Sequence, residues 1–236
     1  MAVLDALADG GELGTNELAR RLALPPSTVS RQLGTLTSTG LVEHDPQTGR
    51  YRLGIRVVRL ANAVLARLDV RQVARPHLEE LVRLTGETAT LHVPGDEDAV
   101  TVDFVPSAHF VQHVTQLGRP SIAHASSAGK VMLAFAGRAL PRGPLRAYTP
   151  HTITGVRALA AEIDRVRGRG YAEAFEEREP GLNAVAAPIW SSTRALAAIV
   201  ALQGPTARFG RAQVDAATPR LLRRARAISL ALGWSP

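Results

Sequence analysis

The sequence predicts an α+β fold in which a small N-terminal domain is joined to a larger C-terminal domain. The chain has 236 residues, a length that suits one small domain and one of ordinary size. Residues 1–53 have the periodicity of three short helices followed by a β-hairpin, whereas the chain beyond residue 71 mixes strand patterns with amphipathic helices. We therefore divide the chain into residues 1–53, a connecting helix at 54–70 and a domain at 71–236.

The composition is that of a globular protein, with 45% hydrophobic and 21% charged residues. The first residues lack the basic start and apolar core of a signal peptide, and no stretch approaches the roughly 20 apolar residues that span a bilayer. We expect a cytoplasmic protein with no membrane partner. Because the chain has no cysteine, disulfides, thiolate catalysis and cysteine-bound zinc are excluded.

The charge balance is basic, with a formal net charge of +7 and a pI of about 11.0. Nucleic acid is a common partner of such chains, although the near-total preference for arginine over lysine is also typical of a GC-rich coding genome. Residues 1–53 carry five arginines against six carboxylates, a net charge of −1. A prediction of DNA binding therefore depends on pattern and not on bulk charge.

Two short helices precede the most informative one. Val3 and Leu7 lie on the apolar face of the first helix, and a glycine-rich break follows it. Thr15 is predicted as the N-cap of the second helix, because its hydroxyl can accept a hydrogen bond from the first turn. The turn that follows ends in Pro25 and Pro26, and a proline is favoured at the first position of the next helix.

The third helix, predicted over residues 27–37, has two different sides. Its apolar side chains, at helical spacing, are Val29, Leu33 and Leu36. Its opposite side presents hydroxyl, guanidinium and amide groups and no carboxylate, from Thr28, Arg31, Gln32 and Thr35. These groups hydrogen-bond phosphates and base edges in the major groove of DNA.

A β-hairpin follows, with strands at residues 41–44 and 50–53 around a Pro/Gly turn. Arg50 and Arg52 occupy alternate positions, so they share one face of the second strand and are predicted to contact the phosphate backbone. Three helices and a hairpin form a winged helix-turn-helix, although a module of this shape that binds no DNA remains an alternative. The predicted DNA-contacting residues are Thr15, Ser27, Thr28, Ser30, Arg31, Gln32, Thr35, Arg50 and Arg52.

Residues 54–68 read as a helix with an apolar face. The residues of that face are Val57, Val58, Ala61, Val64, Leu65 and Leu68. Pairing with a second copy of the chain is the simplest way to bury this face, and packing against the C-terminal domain is the alternative. The larger domain is predicted to contain helices at 76–84, 159–168 and 211–232, a helix ending at 135, and strands at 87–93, 99–105, 110–115, 172–175, 183–190 and 196–203.

The segment from His124 to Lys130 opens a helix with small residues. Free N–H groups and the helix dipole favour an anion at such an end, and Ser126 and Ser127 add hydroxyl donors. The segment is therefore a candidate site for the carboxylate of a small-molecule effector. An ordinary N-cap, with small residues chosen for close packing, is the other interpretation.

Ser127 and Lys130 also have the spacing of a serine acyl-enzyme, but the companion motifs of that chemistry are absent. Gly129-Lys130 fails as a phosphate loop, because Val131 replaces the required Ser or Thr. The seven histidines include no helical pair with a carboxylate between them. We expect no enzymatic activity, no cofactor and no metal, and keep a serine hydrolase that uses Ser127 and Lys130 as a remote alternative.

The stretch LALPPSTVSRQLGTLTSTGLVEHDPQTGRYRLG resembles the N-terminal module of the IclR family of transcription regulators. The later stretches AHASSAGKVMLAF, YTPHTIT, GYAEAFEEREPGLNAVAAPIW and ALQGPTARF resemble the effector domain of that family, in the same order. The resemblance implies a winged helix-turn-helix, a linker helix and a GAF-like domain with a curved antiparallel sheet flanked by helices. It also implies a homodimer or homotetramer that binds a near-palindromic double-stranded DNA operator under the control of an organic or aromatic acid.

The resemblance also places an effector pocket. Some members have an acidic residue, a cysteine and two serines where this chain has Ala174, Ala184, Ala201 and Gln203. Three alanines remove hydrogen-bonding groups, so we expect a larger and more apolar effector than a two- or three-carbon oxoacid. The predicted effector-binding residues are His92, Phe104, Ser126, Ser127, Ala128, Gly129, Ala174, Ala184, Ala201 and Gln203.

A sensor module that has lost DNA binding is the main alternative function. The net charge of −1 over residues 1–53 motivates it. So does the start of the chain, which opens inside the first predicted helix, whereas the resemblance implies several residues before it.

Overall fold

The computed structural model describes residues 2–65, 69–109 and 116–235. The chain separates into two compact units, residues 1–67 and residues 68–236. The helix that follows the hairpin belongs to the first unit. The three-part division made from the sequence stays a prediction.

The N-terminal unit has the predicted order of three helices and a hairpin. Its elements are α1 (Ala2–Gly10), α2 (Thr15–Leu22), α3 (Pro26–Ser38), β1 (Val42–Asp45) and β2 (Arg50–Leu53). The hairpin is antiparallel, and Leu13 adds a third short strand by bridging to Tyr51. A single buried cluster joins these elements, with Leu18, Val29 and Leu33 fully inaccessible at its centre. The apolar side predicted for the third helix therefore forms the core.

The starts of α2 and α3 each differ from the prediction in one detail. The N-cap of α2 is Gly14, and Thr15 is the first helical residue, so the N-cap prediction for Thr15 was wrong. Glycine is among the residues that commonly occupy the N-cap position of a helix. Helix α3 begins at Pro26, one residue earlier than predicted, with the proline in the first turn as expected.

Helix α4 (Ile55–Leu65) follows the hairpin directly. Its start is held by Arg56, whose Nη1 donates to the Thr39 carbonyl oxygen at 2.6 Å, and by Glu43, whose carboxylate accepts from the Ile55 N–H at 3.4 Å. The helix was predicted to run to residue 68, and its last three predicted residues lie outside the described part of the chain.

The C-terminal unit is built on one antiparallel sheet with the strand order β5-β4-β3-β8-β7-β6. The strands are β3 (Thr88–Pro94), β4 (Ala99–Val105), β5 (Pro120–Ser121), β6 (Ala172–Phe175), β7 (Leu182–Trp190) and β8 (Leu196–Pro205). The helices are α5 (Asp69–Thr85), α6 (Ser127–Phe135), α7 (Val156–Arg169) and α8 (Arg211–Ala231). The strand predicted at residues 110–115 lies outside the described residues.

Helix α5 begins at Asp69, seven residues before its predicted start. The prediction began at Pro76, because proline is favoured in the first turn of a helix. In the structure Pro76 lies inside the helix. A proline there removes one backbone hydrogen bond, a cost that is offset by the burial of Val70, Ala74 and Leu78 on the inner face of α5.

The helices cover both faces of the sheet. Helices α6 and α7 pack together on one face, where Val131, Met132 and Ile163 are buried in a cluster that includes Ile199 of β8. Helices α5 and α8 pack together on the other face. The sheet is therefore the middle layer of the unit, and each strand contributes side chains to both sides.

Strands β3 and β4 shift register by one residue, which leaves Val102 without a partner in β3. His92 pairs with Thr101, and Leu91 pairs with Asp103. Since cross-strand partners face the same side of a sheet, Thr101 and Asp103 face opposite sides although they are two residues apart. Thr101 therefore faces the α6 side with His92, and Asp103 faces α5.

We predict that Leu33→Ala lowers the free energy of unfolding of the N-terminal unit by about 2–5 kcal/mol, because Leu33 is fully buried and its loss leaves a cavity under α3. Urea denaturation followed by circular dichroism measures the change. Thr35→Ala, on the exposed side of the same helix, is the control and should shift the transition by less than about 0.5 kcal/mol. Equal shifts for the two variants would contradict the burial of Leu33.

Candidate functional site

The first candidate site is the outer face of α3. Ser27, Ser30, Arg31, Gln32 and Thr35 are exposed there, and Thr28 is half-buried. The helix has no acidic residue. Among the described residues, the Arg31 side chain has no ion-pair or hydrogen-bond partner, so its charge and its five N–H donors are available to a ligand.

The two arginines of the wing are exposed on one face of β2, as their alternate spacing predicted. Unlike Arg31, both arginines form hydrogen bonds or ion pairs with residues of the N-terminal unit. Arg52 pairs with Glu12 and with Glu43, each at 3.2 Å. Arg50 donates to the Glu12 carbonyl oxygen at 2.7 Å and lies 3.8 Å from the Glu17 carboxylate. Part of their positive charge is thus neutralised, and their contact with phosphate stays a prediction.

The second candidate site is a cavity of about 50 Å³ between the N-terminus of α6 and the sheet, which we call the α6 cavity. It brings together eight of the ten residues predicted to bind an effector. These are His92, Ser126, Ser127, Ala128, Ala174, Ala184, Ala201 and Gln203. The volume has room for a few water molecules, each of which needs roughly 10–15 Å³. The three alanines therefore do not open a large empty space.

Two predicted residues do not line this cavity. The Gly129 position packs against the preceding loop, and a Cβ there would lie 2.4 Å from the Ile122 carbonyl oxygen. Its glycine is explained by close packing. Phe104 is half-buried on β4, and its carbonyl oxygen accepts from Arg75 at 3.1 Å. A role for Phe104 in effector binding stays a prediction.

The two serines at the N-terminus of α6 have different structural roles. Ser126 is the N-cap: its Oγ accepts from the Gly129 N–H at 3.0 Å and donates to the Ile122 carbonyl oxygen at 2.9 Å. Ser127 is 2% exposed and lines the cavity, and its hydroxyl has no hydrogen-bond partner among the described residues. The backbone N–H groups of Ser127 and Ala128 are likewise unpaired there. This end of the cavity is a cluster of donors that suits an anion.

His92 forms the floor of the cavity on β3. Its Nε2 lies 2.8 Å from Thr90 Oγ1, and its Nδ1 lies 3.2 Å from both Thr101 Oγ1 and Ser121 Oγ. Burial lowers the pKa of His92 to about 3, and the positive charge of Arg178 acts in the same direction. The imidazole is therefore neutral, and its hydrogen bonds are already made within the protein.

Two residues that the sequence analysis did not single out, Glu177 and Arg178, also line the cavity. The Glu177 Oε1 accepts from the buried Lys130 ammonium at 2.5 Å. Arg178 donates to the Pro120 carbonyl oxygen at 2.7 Å and lies 3.7 Å from the Glu179 carboxylate. Burial lowers the pKa of Arg178, and the nearby Arg119 adds to this effect.

Ser127 and Lys130 are not arranged as a nucleophile and its base. Lys130 Nζ donates to the Glu173 carbonyl oxygen at 2.9 Å and to Glu177, and it makes no hydrogen bond to Ser127. Over the described ranges, no group of three or more metal-binding side chains occurs. Within the same ranges, no helix is long and apolar enough to cross a membrane.

The fold and the two sites define a class of protein: a winged helix-turn-helix DNA-binding unit joined to an α+β unit that contains a small cavity. Comparison with known families gives the particular one. The "IclR helix-turn-helix domain" matches residues 1–46, and the "Bacterial transcriptional regulator IclR C-terminal" domain matches residues 62–230. The chain belongs to the IclR family of DNA-binding transcription regulators, as the sequence motifs indicated.

Several relatives are similar over the whole chain. The HTH-type transcriptional regulator BhcR of Paracoccus denitrificans is 34% identical, over 98% of this chain and 84% of its own length. KdgR of Escherichia coli is 30% identical, over 98% of this chain and 90% of its own. A crystal structure of an IclR homologue from Microbacterium hydrocarbonoxydans, complexed with 4-hydroxybenzoate, has a TM-score of 0.80 at 27% identity and covers 98% of this chain and 96% of that one. An IclR regulator from Alicyclobacillus acidocaldarius has a TM-score of 0.83 at 26% identity, with coverage of 98% and 96%.

We predict that His92→Gln flattens the pH dependence of stability between pH 6.5 and 3. Unfolded His92 takes up a proton as the pH falls through 6.5, whereas folded His92 stays neutral down to about 3. Its contribution to stability is therefore fully present above pH 6.5 and is lost as the pH falls through that range, by up to about 1.4 kcal/mol per pH unit. Urea titrations at several pH values measure this slope. An unchanged slope in the variant would contradict a neutral buried His92, and His151→Gln, at an exposed histidine, is the control.

Proposed function

We propose that the protein acts in the cytoplasm as a homodimer that binds a near-palindromic DNA operator, and that a small organic acid in the α6 cavity controls this binding. The observation that carries the DNA part is the outer face of α3, where exposed polar groups occur without a carboxylate. A helix of this kind fits the major groove, and two copies related by a two-fold axis read two half-sites.

Within this proposal, Arg31 is the main contact to DNA, because its charge is not neutralised by any described residue. The wing arginines contribute less until the contacts of Arg50 with the Glu12 carbonyl oxygen and Glu17, and the ion pairs of Arg52 with Glu12 and Glu43, rearrange. We therefore assign base reading to Arg31, because a guanidinium with free donors can bind guanine in a bidentate way. Arg50 and Arg52 are assigned to contacts with the phosphate backbone.

The acid-effector part is supported by the donors at one end of the cavity. The hydroxyl of Ser127, the free N–H groups of the first turn of α6 and the guanidinium of Arg178 all favour a carboxylate. The complex of a Microbacterium homologue with 4-hydroxybenzoate makes an aromatic acid a reasonable effector class for this chain. Because the cavity has about 50 Å³, an acid of that size requires the walls to move apart.

The dimer part is supported by α4. Val58 lies on the predicted apolar face of the helix and is 51% exposed. The rest of that face, from Ala61 onward, has side chains outside the described set. A second copy of α4 would bury this face as in a two-stranded coiled coil.

We predict that Arg31→Ala weakens binding to the chain's own upstream intergenic DNA by about ten- to a hundredfold, the usual effect of losing one base-reading arginine. Fluorescence anisotropy at two salt concentrations measures the affinity, and wild-type binding should weaken steeply with salt. Arg223→Ala, which removes the same charge from an exposed site on α8, is the control and should bind as the wild type. A folded wild-type dimer that fails to bind at low salt would instead favour the sensor module without DNA binding.

We predict that Val58→Glu shifts the protein from dimer to monomer, because it places a carboxylate on the proposed pairing face. Size-exclusion chromatography with light scattering measures the mass over a dilution series. Arg59→Glu introduces the same carboxylate one residue along, outside the apolar face, and should leave the dimer intact. If Val58→Glu keeps the dimer mass, the pairing surface lies elsewhere.

A further inference from the structure

A groove lies in the C-terminal unit where its sheet has an open edge. Strand β6 pairs only with residues 183–186 of β7, so within the described residues no strand covers that side of residues 187–190. Side chains from α6, α7 and α8 surround this uncovered part of β7. The groove has a volume of about 410 Å³, within the range of roughly 300–1,000 Å³ that is usual for binding pockets. We call it the β7-edge groove.

The walls of the β7-edge groove are rich in aromatic rings. Both tryptophans of the chain, Trp190 and Trp234, line it together with Phe135, the last residue of α6. The rings of Phe135 and Trp190 are in edge-to-face contact, with their centroids 5.3 Å apart. All three rings are half-buried, so each keeps a surface that solvent reaches. An apolar surface that stays accessible in this way is typical of a site for another protein.

The charged groups at the rim of the groove are Arg167 and Arg226, and none of the described lining residues is acidic. Arg167 is partly neutralised, because its Nη1 donates to the Asp164 carboxylate at 2.8 Å and its Nε to the Ala134 carbonyl oxygen at 3.0 Å. Arg226 is exposed and has no ion-pair or hydrogen-bond partner among the described residues. The rim therefore has an uncompensated positive charge, which an occupant with a carboxylate would complement.

The β7-edge groove is distinct from the α6 cavity. Ser127 lines the cavity and Phe135 lines the groove, and these residues are at opposite ends of α6, about 12 Å apart along the helix axis. No residue lines both sites. Binding at the groove can therefore be tested without reference to the proposed effector or to DNA.

The polar groups of the groove favour a protein segment over a small ligand. The hydroxyl of Ser229, which also lines the groove, accepts from the Trp190 N–H at 2.9 Å and donates to the Ala225 carbonyl oxygen at 2.8 Å. It is thus already satisfied, whereas sites for small ligands usually orient them with a few available polar groups. Aromatic surface and a charged rim remain for recognition, which is the usual composition of a protein–protein contact.

A second copy of the chain does not match the charge of this groove. In a two-fold contact the same surface of each copy meets the other, so the two Arg226 side chains would lie near each other. Like charges placed together oppose association. The occupant that complements the groove is therefore a different protein with negative charge beside an apolar anchor.

We propose that the β7-edge groove is a docking site for a partner protein, and that it binds a segment in which an aromatic side chain is flanked by carboxylates. The aromatic side chain packs against Trp190, Trp234 and Phe135, and a neighbouring carboxylate pairs with Arg226. An aromatic anchor in a pocket supplies most of the affinity of such a contact, and an ion pair at the rim raises the association rate and makes it dependent on salt.

The test selects random peptides displayed on phage, in parallel on the full-length wild type and on Arg226→Glu. This substitution reverses an exposed charge and leaves the aromatic walls in place. Peptides that only the wild type selects should contain an aromatic residue with Asp or Glu close to it in sequence. Arg223→Glu makes the same change at another exposed arginine of α8 that does not line the groove, and it should select the same peptides as the wild type. The proposal is overturned if the wild type and Arg226→Glu select the same peptides, or if the wild type selects none.

A fluorescein-labelled copy of one selected peptide then gives the affinity by anisotropy. Arg226→Glu should weaken its binding by about tenfold or more, and Arg223→Glu should bind it as the wild type does. Because both tryptophans of the chain line the groove, unlabelled peptide should also change the intrinsic fluorescence of the protein. Binding without that change would place the peptide on another surface and overturn the proposal.

Two further outcomes would assign the groove to another occupant and overturn the proposal. The first is a lower mass of Arg226→Glu than of the wild type and Arg223→Glu in light scattering, which would indicate a second copy of the chain. The second is displacement of the peptide by free phenylacetate at concentrations similar to the peptide's own Kd, which would indicate a site for a small aromatic acid.

Discussion

The ammonium group of Lys130 holds together the parts of the C-terminal unit on which its cavity depends. Lys130 lies on α6 and is 1% exposed, and its two described partners, Glu173 and Glu177, lie on or just after β6. Leaving one partner of a buried ion pair unmatched typically costs about 3–5 kcal/mol. Both walls of the α6 cavity are therefore fixed by one cation: the helix end on one side and the segment that carries Glu177 and Arg178 on the other.

The charges of the N-terminal unit are arranged differently. The arginines of the wing are neutralised by carboxylates, whereas Arg31 on α3 is exposed and unpaired among the described residues. Glu12, Glu17 and Glu43 offset the wing arginines, which explains how a unit with a net charge of −1 over residues 1–53 still has a cationic helix face. The protein does not concentrate positive charge over this unit. Instead, Arg31 on α3 keeps a guanidinium that is free to enter the major groove of DNA. A cation placed in this way favours specific over non-specific DNA binding.

Much of this architecture follows from local periodicity. The spacing of Val29 and Leu33 identified the buried side of α3, and alternation placed β4 and β6 at the residues where they occur. The cavity was located through family motifs, which placed eight of its lining residues. Such motifs mark positions in the chain and say nothing about the size of the space between them, so the three alanines suggested more room than the cavity has.

The features that the sequence did not reveal depend on contacts between distant residues. Arg52 pairs with Glu12, 40 residues away, and no local pattern predicts such a pair. Glu177 and Arg178 lie in a bend without periodicity, where a run of charged residues is usually solvated. One signal could have pointed to these two residues: the charged run directly follows β6, a strand that borders the cavity. At α5, a proline that is usually a helix start lies in a helix interior, because burial of the inner face outweighs a single lost hydrogen bond.

Because Val102 has no partner in β3, two residues of β4 that are two positions apart contact opposite sides of the sheet. In a regular strand, adjacent side chains point to opposite faces of the sheet, and side chains two residues apart point to the same face. Here Thr101 contacts His92 in the cavity, while Asp103 holds Arg71 and Arg75 of α5 on the opposite side, at 3.7 Å and 3.0 Å. A displacement at the cavity floor would thus reach α5 through the backbone of β4, without passing through the packed interior. Helix α5 is the first described element of the C-terminal unit, so β4 connects the cavity floor with the helix on which that unit begins.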